Sequence, residues 1–543
     1  MADSITRVPV PVNEPVRNYG PGSAEKVTLK ARLAELSDAR TEVPMVIGGK
    51  RAKGTERRLL RSPHRKELVI AQYAYGGTRD VTAAINAALK ARQAWAAAPF
   101  ADRAGVFLRA AALLAGPWRD TINAATMLGQ SKTVHQAEID AACELIDFLR
   151  YNVAYAERIY EQQPTNDATA WNHMEYRPLE GFVFAVPPFN FTSIVGNLPT
   201  SAALMGNVVV FKPSTQTMLV AHFLVELLEA AGLPPGVINL VAGDAGEIAG
   251  QVLSHRELAG IHFTGSTAVF QGMWKTVAQN LEKYRTYPRL VGETGGKDFI
   301  FAHESADVDA LRTALVRGAF EYQGQKCSAC SRAYVPQSMW KRLKPDITDQ
   351  VEHIEQGDVA DFRNFMGAVI DGRAFKTHKS AIDYANRSNT ATIVAGGRTD
   401  DREGWFVRPT IIETTDPNFR WMREELFGPI LTVYPYPDGK FEETLEVCDN
   451  TSPYGLTGAI FAQDRYAIRT ASDRLVNAAG NFYINDKPTG AVVGLQPFGG
   501  ARASGTNDKA GSYLNLLRWT SARTVKETLV PPTDYRYPYM GEE

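Results

Sequence analysis

Four short apolar runs constrain this chain more than any other feature: GFVFAVPPFN (Gly181–Asn190), NVVVFKPS (Asn207–Ser214), VINLVAG (Val237–Gly243) and GIHFTGS (Gly260–Ser266). Each is rich in β-branched or aromatic residues and lacks apolar–polar alternation, the mark of strands covered on both faces. Helical stretches separate them, such as Thr217–Ala231, closed by Gly232 and Pro234. Strands alternating with helices pair in parallel, because a parallel connection needs a crossover. A second series starts at KDFIFAH (Lys297–His303) and continues through a helix over Asp307–Glu321, the strand SRAYVP, then GAIFAQD and NFYIND. Two such series predict two doubly wound α/β lobes with a cleft between them.

The remaining segments frame these lobes. The first fifty residues are polar and punctuated by Pro and Gly, which predicts an extended arm with one helix around Ala24–Ser37. Helical patterns follow at Val81–Ala98, Asp102–Leu128 and Ala137–Gln162. AWNHMEYRPLEG (Ala170–Gly181) and RWTSARTVKETLV (Arg518–Val530) alternate polar and apolar. Both are expected to be antiparallel strands outside the lobes, of the kind that pairs with another subunit.

A length of 543 residues allows several domains and a large core. The 59 Lys and Arg and 60 Asp and Glu cancel to a net charge of −1, so no electrostatic hold on nucleic acid or anionic membrane is expected. No apolar run reaches bilayer length. Four cysteines are too few for a disulfide scaffold, and the N-terminus has no apolar leader core. A soluble, cytoplasmic enzyme or binding protein is the expectation.

The chemistry centres on QGQKCSACSRAYVP (Gln323–Pro336). A structural zinc site needs four ligands, and Cys143 and Cys448 are isolated, so no metal is expected. A redox pair would open a helix after a strand, whereas this pair precedes a strand. Cys327 therefore stands as a single nucleophile or as a small buried hydrophobe. Other segments supply partners. Glu293 lies in the Gly-rich VGETGGKDF, and Asn190 ends a strand in PPFNF, where its side chain could donate to an oxyanion. Lys212 in FKPST and Ser266 in FTGST also stand at strand ends, where a dinucleotide could lie. Glu425 precedes an aromatic and a tight turn in EELFGPI, and QPFGGARASG is Gly-rich.

In their order along the chain these segments resemble the aldehyde dehydrogenase superfamily, from about Gly181 to Gly505. MLGQSK, QAEIDAACELIDF, PPFNFTS, GQKCSACSRAYVP and GLQPFGGARASGTNDKAGS resemble its 1-pyrroline-5-carboxylate dehydrogenase branch. The resemblance implies a dinucleotide lobe and a catalytic lobe with a small antiparallel oligomerisation flap. Its division of the chain is 1–169 (arm and helices of the NAD-binding domain), 170–180 (flap), 181–291 (Rossmann-like NAD-binding domain), 292–505 (catalytic domain) and 506–543 (C-terminal oligomerisation segment).

The resemblance also implies roles. Cys327 is the nucleophile, Asn190 the oxyanion donor and Glu293 the general base. Pro187, Lys212, Gly265, Ser266, Thr267, Glu425 and Phe427 hold NAD. Thr215 stands where many NAD-dependent relatives carry an acidic residue, which leaves room for NADP. Phe270 replaces a glycine common in other branches. The implied substrate is glutamate γ-semialdehyde. Its α-carboxylate falls to Ser328, Gly490 and Ala491, its ammonium to Glu144, and its aliphatic chain to Phe191 and Phe498. Lys326 either steers the carboxylate or favours the Cys327 thiolate. The implied partners are further copies of this chain, as a dimer or higher homo-oligomer, and a proline dehydrogenase that supplies the substrate. Succinate semialdehyde is the rival substrate. A flavin-bearing fusion is too long for this chain. A non-enzymatic scaffold would have lost Cys327, Glu293 or Asn190.

Overall fold

The computed structural model describes residues 6–542. In the first lobe the strands Arg289–Glu293, Leu258–Thr264, Phe182–Val186, Val208–Phe211 and Ile238–Leu240 lie side by side and parallel. They include all four strands expected in this lobe. Met45–Ile47 and Lys50–Ala52 extend the far edge antiparallel. The first fifty residues are therefore more than an arm: they contribute to the sheet. Strands of three residues are too short to show a period in sequence.

The second lobe holds another seven-stranded sheet, in the order Ala391–Ala395, Thr410–Thr414, Ile430–Tyr436, Cys330–Pro336, Asp298–Ala302, Thr457–Phe461 and Asn481–Ile484. Only its first pair is antiparallel. Continuous apolar strands such as Asp298–Ala302 and Thr457–Phe461 are buried along their whole length. Helices cover both faces of this sheet over two separate apolar cores.

Two helical patterns are interrupted. The Asp102–Leu128 pattern is two helices, Phe100–Ala115 and Arg119–Gln130. They are broken at Gly116–Pro117, where proline lacks a helix N–H. The Ala137–Gln162 pattern contains a π-helical segment, Glu138–Glu144, between Val134–Ala137 and Leu145–Tyr160. Such segments concentrate at functional sites.

The alternating segments Ala170–Pro178 and Thr520–Thr528 do form an antiparallel ribbon, but they pair with each other over nine residues. In this two-stranded sheet each strand keeps a second edge, the kind of edge to which another subunit's strand can add. Two expected domain limits also shift. The boundary at 291/292 falls inside the strand Arg289–Glu293. Trp519 is fully buried in the core of the first lobe, and Asn207 Nδ2 donates to its carbonyl at 2.9 Å. Residues 506–519 thus close the first lobe before the ribbon begins.

Candidate active site

Parallel strands point their carboxyl ends one way, and the first lobe uses this to present its chemistry. Asn190 follows the strand Phe182–Val186, Lys212 follows Val208–Phe211, Ser266 follows Leu258–Thr264, and Glu293 ends Arg289–Glu293. The second lobe answers with the amino ends of its strands. Cys327 precedes Cys330–Pro336, and Glu425 and Phe427 precede Ile430–Tyr436.

Cys327 is 7% exposed and its Sγ donates to Glu293 Oε1 at 3.7 Å. The turn leading to it is unusual: Tyr322 and Gln323 both adopt left-handed backbone, with φ of 51° and 55°. Non-glycine residues hold that conformation only where the surroundings impose it. Here Gln323 Nε2 donates to the carbonyls of Ser131 (3.0 Å) and Ala368 (2.7 Å), and its Oε1 accepts from Gly367 N–H at 3.0 Å. Asn190 Nδ2 donates to the Gln325 carbonyl at 3.0 Å, which fixes its amide two residues from the sulfur.

The Gly-rich turn 292–296 is explained by close approach. A Cβ on Gly295 would strike the Glu425 carboxylate, and one on Gly296 would strike the Cys327 carbonyl and Asp298. Through that gap Glu425 Oε1 accepts from Gly296 N–H at 2.8 Å. Burial pushes Glu293 and Glu425 up to about 7 each. Burial, with Glu293, Asp298 and Glu425 nearby, pushes the Cys327 thiol well above its ordinary range. Lys326 Nζ, next to it in sequence, donates to Glu321 Oε2 at 3.1 Å. Cys330 is 1% exposed within its strand, and its Sγ donates to the Arg332 carbonyl at 3.6 Å.

On one side of Cys327 lie the residues expected at the dinucleotide. Ser266 caps the helix Thr267–Gln279, its hydroxyl accepting from Val269 N–H at 3.4 Å, and Gly265 N–H donates to the Glu293 carbonyl at 3.1 Å. The Thr267 hydroxyl is buried at that helix start, beside Tyr454. Burial lowers the Lys212 ammonium against the pull of Asp244. Pro187 is buried, and the Phe189 ring meets Phe427 edge-on at 5.6 Å. Phe427 itself has φ 54°. Helix-start amides, a hydroxyl, a cation and a carboxylate acceptor suit the pyrophosphate and riboses of a dinucleotide. Thr215 is not acidic, and its hydroxyl donates to Gln216 Oε1 at 3.0 Å. Phe270 stacks on Phe263 at 5.6 Å and fills the space beside Gly292.

On the other side is a cavity of about 420 Å³. Glu144, Phe191, Lys326, Ser328, Gly490, Ala491 and Phe498 all line it together with Cys327. All seven residues expected at the substrate thus share one space with the sulfur. Ser328 Oγ and Thr489 Oγ1 are 2.8 Å apart. Burial and Asp140 push Glu144 up to about 8. Against burial, Lys326 and Lys487 hold the Glu321 carboxyl below its ordinary range.

Sequence reading missed several groups here. Lys132 and Asp140 form a fully buried pair at 2.5 Å. Asp140 accepts from Thr192 and Ser193 N–H, both at 2.9 Å, and so caps the helix that begins beside Asn190. Lys132 also lies over the rings of Phe191 (4.3 Å) and Tyr322 (4.5 Å), joining the Asn190 segment to the Cys327 turn. Their signal stood in MLGQSK and QAEIDAACELIDF, but nothing local pairs the two motifs.

The aldehyde dehydrogenase family pattern matches residues 51–525. Delta-1-pyrroline-5-carboxylate dehydrogenase, mitochondrial, of Dictyostelium discoideum is 52% identical over 538 residues, 98% of this chain and 96% of that protein. The human protein of the same name is 49% identical, over 97% of this chain and 94% of its own. The crystal structure of the Delta-pyrroline-5-carboxylate dehydrogenase from Mycobacterium tuberculosis bound with NAD superposes with a TM-score of 0.97 at 56% identity, covering 100% of both chains. With a family match over most of its length and relatives about half identical to it from end to end, the chain belongs to the aldehyde dehydrogenase family.

Proposed function

We propose that this protein oxidises L-glutamate γ-semialdehyde, the open form of 1-pyrroline-5-carboxylate, to L-glutamate with NAD, the second step of proline degradation. The observation that carries the reading is the single cavity in which Cys327 meets Glu144 at one wall and Ser328, Gly490 and Ala491 at another. An aldehyde with an amino-acid head needs an acceptor for its ammonium and donors for its carboxylate, and that cavity offers both.

The chain's own groups carry out the following steps. Glu293, already hydrogen-bonded to the thiol, takes the Cys327 proton, and the sulfur attacks the aldehyde carbon. A C–S bond forms, the carbonyl π pair moves to oxygen, and the second N–H of Asn190 with the Cys327 amide holds the oxyanion. NAD, held by Pro187, Lys212, Gly265, Ser266, Thr267, Glu425 and Phe427, supplies the two-electron acceptor when bound. Once the adduct's C–H hydride has passed to that acceptor, leaving a thioester on Cys327, and Glu293 has released its first proton to solvent, Glu293 takes a proton from water as the water oxygen attacks the acyl carbon. The C–S bond then breaks and the thiolate returns. Glu144 accepts from the substrate ammonium, Ser328, Gly490 and Ala491 bind the carboxylate, and Phe191 and Phe498 flank the methylenes. Lys326 faces the carboxylate end, balanced by Glu321.

The ribbon Ala170–Pro178/Thr520–Thr528, with Trp171 56% exposed, supports assembly into a homo-oligomer. A proline-oxidising enzyme is the class of partner that supplies the substrate. Among the described residues no helix is long and apolar enough to cross a membrane. Four free cysteines support a reducing compartment, and we place the protein in the cytoplasm; cell fractionation separates this from the mitochondrial location in the relatives' names. The deciding experiment is NAD reduction with glutamate γ-semialdehyde beside succinate semialdehyde. A higher kcat/KM for the amine-free aldehyde overturns the substrate.

A further inference from the structure

The cavity has a wall that no motif announced. Asn13, Glu14 and Val16, from the extended N-terminal arm, line it alongside Glu144 and Gly490. The arm is fastened by its polar atoms. Glu14 N–H donates to Asp147 Oδ1 at 2.7 Å, and Arg17 N–H donates to Glu138 Oε1 at 2.9 Å. The Glu14 carboxylate is held by Arg119 at 2.5 Å and Arg150 at 2.8 Å. These contacts involve buried or half-buried partners, where an ion pair with hydrogen bonds holds a geometry better than on an open surface.

Asn13 does something different from its neighbours. Its Nδ2 donates to Asp147 Oδ2 and to the Val493 carbonyl, each at 2.8 Å. Its Oδ1 accepts from Tyr151 Oη at 3.0 Å. Both amide protons and the carbonyl oxygen are therefore used, which leaves the side chain one orientation. Asp147 and Tyr151 belong to the helix Leu145–Tyr160, directly after Glu144. Val493 belongs to the loop that carries Gly490 and Ala491. In the same loop Gly494 adopts φ 85° and presses so closely on the Tyr151 ring that a Cβ would collide with it. One amide from the arm thus ties the ammonium side of the cavity to its carboxylate side.

We infer that the N-terminal arm is part of the substrate site, with Asn13 a positioning residue that sets the Gly490–Val493 loop against the Glu144 helix and so selects aldehydes bearing an amino-acid head. The inference rests on the substrate reading above. Binding such a head requires its two anchor points at a fixed separation, and Asn13 is the side chain that bonds to both elements. Loss of one part-buried hydrogen-bonded partner costs about 1–3 kcal/mol, equivalent to roughly a fivefold to hundredfold change in an equilibrium.

The test is made on the full chain with Asn13→Ala and Asn13→Asp. Alanine removes all three hydrogen bonds. Aspartate keeps the acceptor for Tyr151 but sets a second carboxylate against Asp147. With Asn13→Ala, KM for glutamate γ-semialdehyde rises about tenfold, with a smaller effect on kcat. The ratio of kcat/KM for that substrate over propanal, which has no head to anchor, falls by a similar factor. Asn13→Asp is the weaker of the two variants. Hydrogen–deuterium exchange reads the tie without any substrate: amides of 489–494 exchange faster in both variants. Unchanged exchange there overturns the tie, and an equal loss on both aldehydes overturns the selective role. If the unaltered enzyme ignores glutamate γ-semialdehyde, the substrate reading fails by itself, and exchange alone still decides whether Asn13 holds the loop.

Discussion

The two sides of Cys327 are built differently. On the side proposed for the dinucleotide the work falls to backbone: a helix start at Ser266, glycines at 295 and 296 that let Glu425 and the Cys327 carbonyl approach, and one cation, Lys212. On the aldehyde side it falls to side chains held by other side chains, with Lys132 on Asp140, Lys326 on Glu321, Ser328 against Thr489 and Asn13 across the loop. A cofactor shared by many enzymes is met by features that short motifs encode. A particular substrate is met by residues brought together from across the chain.

The largest effect tests the point where the sides meet. Cys327→Ser reduces NADH formation to background while NAD binding, followed by protein fluorescence, stays near that of the unaltered protein; turnover in this variant would refute the nucleophile. Asn190→Ala lowers kcat by roughly 10²–10³, because an oxyanion donor is lost. A paired experiment then separates the sides. Glu144→Gln raises KM for glutamate γ-semialdehyde by roughly tenfold or more, as a charged hydrogen-bond partner is removed, with little change in KM for NAD. Glu425→Gln does the reverse, and a variant that shifts both constants equally would dissolve the contrast.

The pH dependence is a gentler probe. Glu293 is raised to about 7, so below that pH it is protonated and cannot act as a base. The kcat/KM profile therefore falls on the acid side of about 7, and Glu293→Gln removes that limb with the activity. Stability moves the opposite way. A carboxyl raised in the folded state binds protons that the unfolded chain has released, so this group's contribution weakens as pH rises from its ordinary value, 4.5, through about 7. Glu293→Gln is accordingly more heat-resistant than the parent at pH 8, which a thermal melt checks. The smallest effect belongs to Cys330→Ala, which keeps most of the activity; collapse to the level of Cys327→Ser would revive a paired-thiol mechanism.

The same contrast explains what could be read from the sequence. The parallel strands of both lobes showed themselves as continuous apolar runs, and Lys212, Ser266 and Glu293 stood at strand ends where short motifs place them. The resemblance carried Glu144, Ser328 and Gly490 to one cavity, although no local pattern joined them. Asn13 was out of reach, because its contact with Val493 spans 480 residues and the arm around it has no period. The π-helical turn at Glu138–Glu144 was equally hidden, since seven residues within a longer helical pattern leave its apolar rhythm almost unchanged. The pairing of Ala170–Pro178 with Thr520–Thr528 was missed because alternation announces an open face without naming its neighbour.

Glu293 shares its peptide framework with the turn at Gly265, whose N–H it receives, and is bridged on its other side to Gly505, while the Thr294 amide is bound to Ser504. The main chain at this position is clamped from two directions. Any travel of the carboxylate between sulfur and water is then a rotamer jump about its own side-chain bonds, with no loop to open or close. Mutations that loosen the 504–506 segment would slow the base by letting its anchor drift rather than by changing its chemistry.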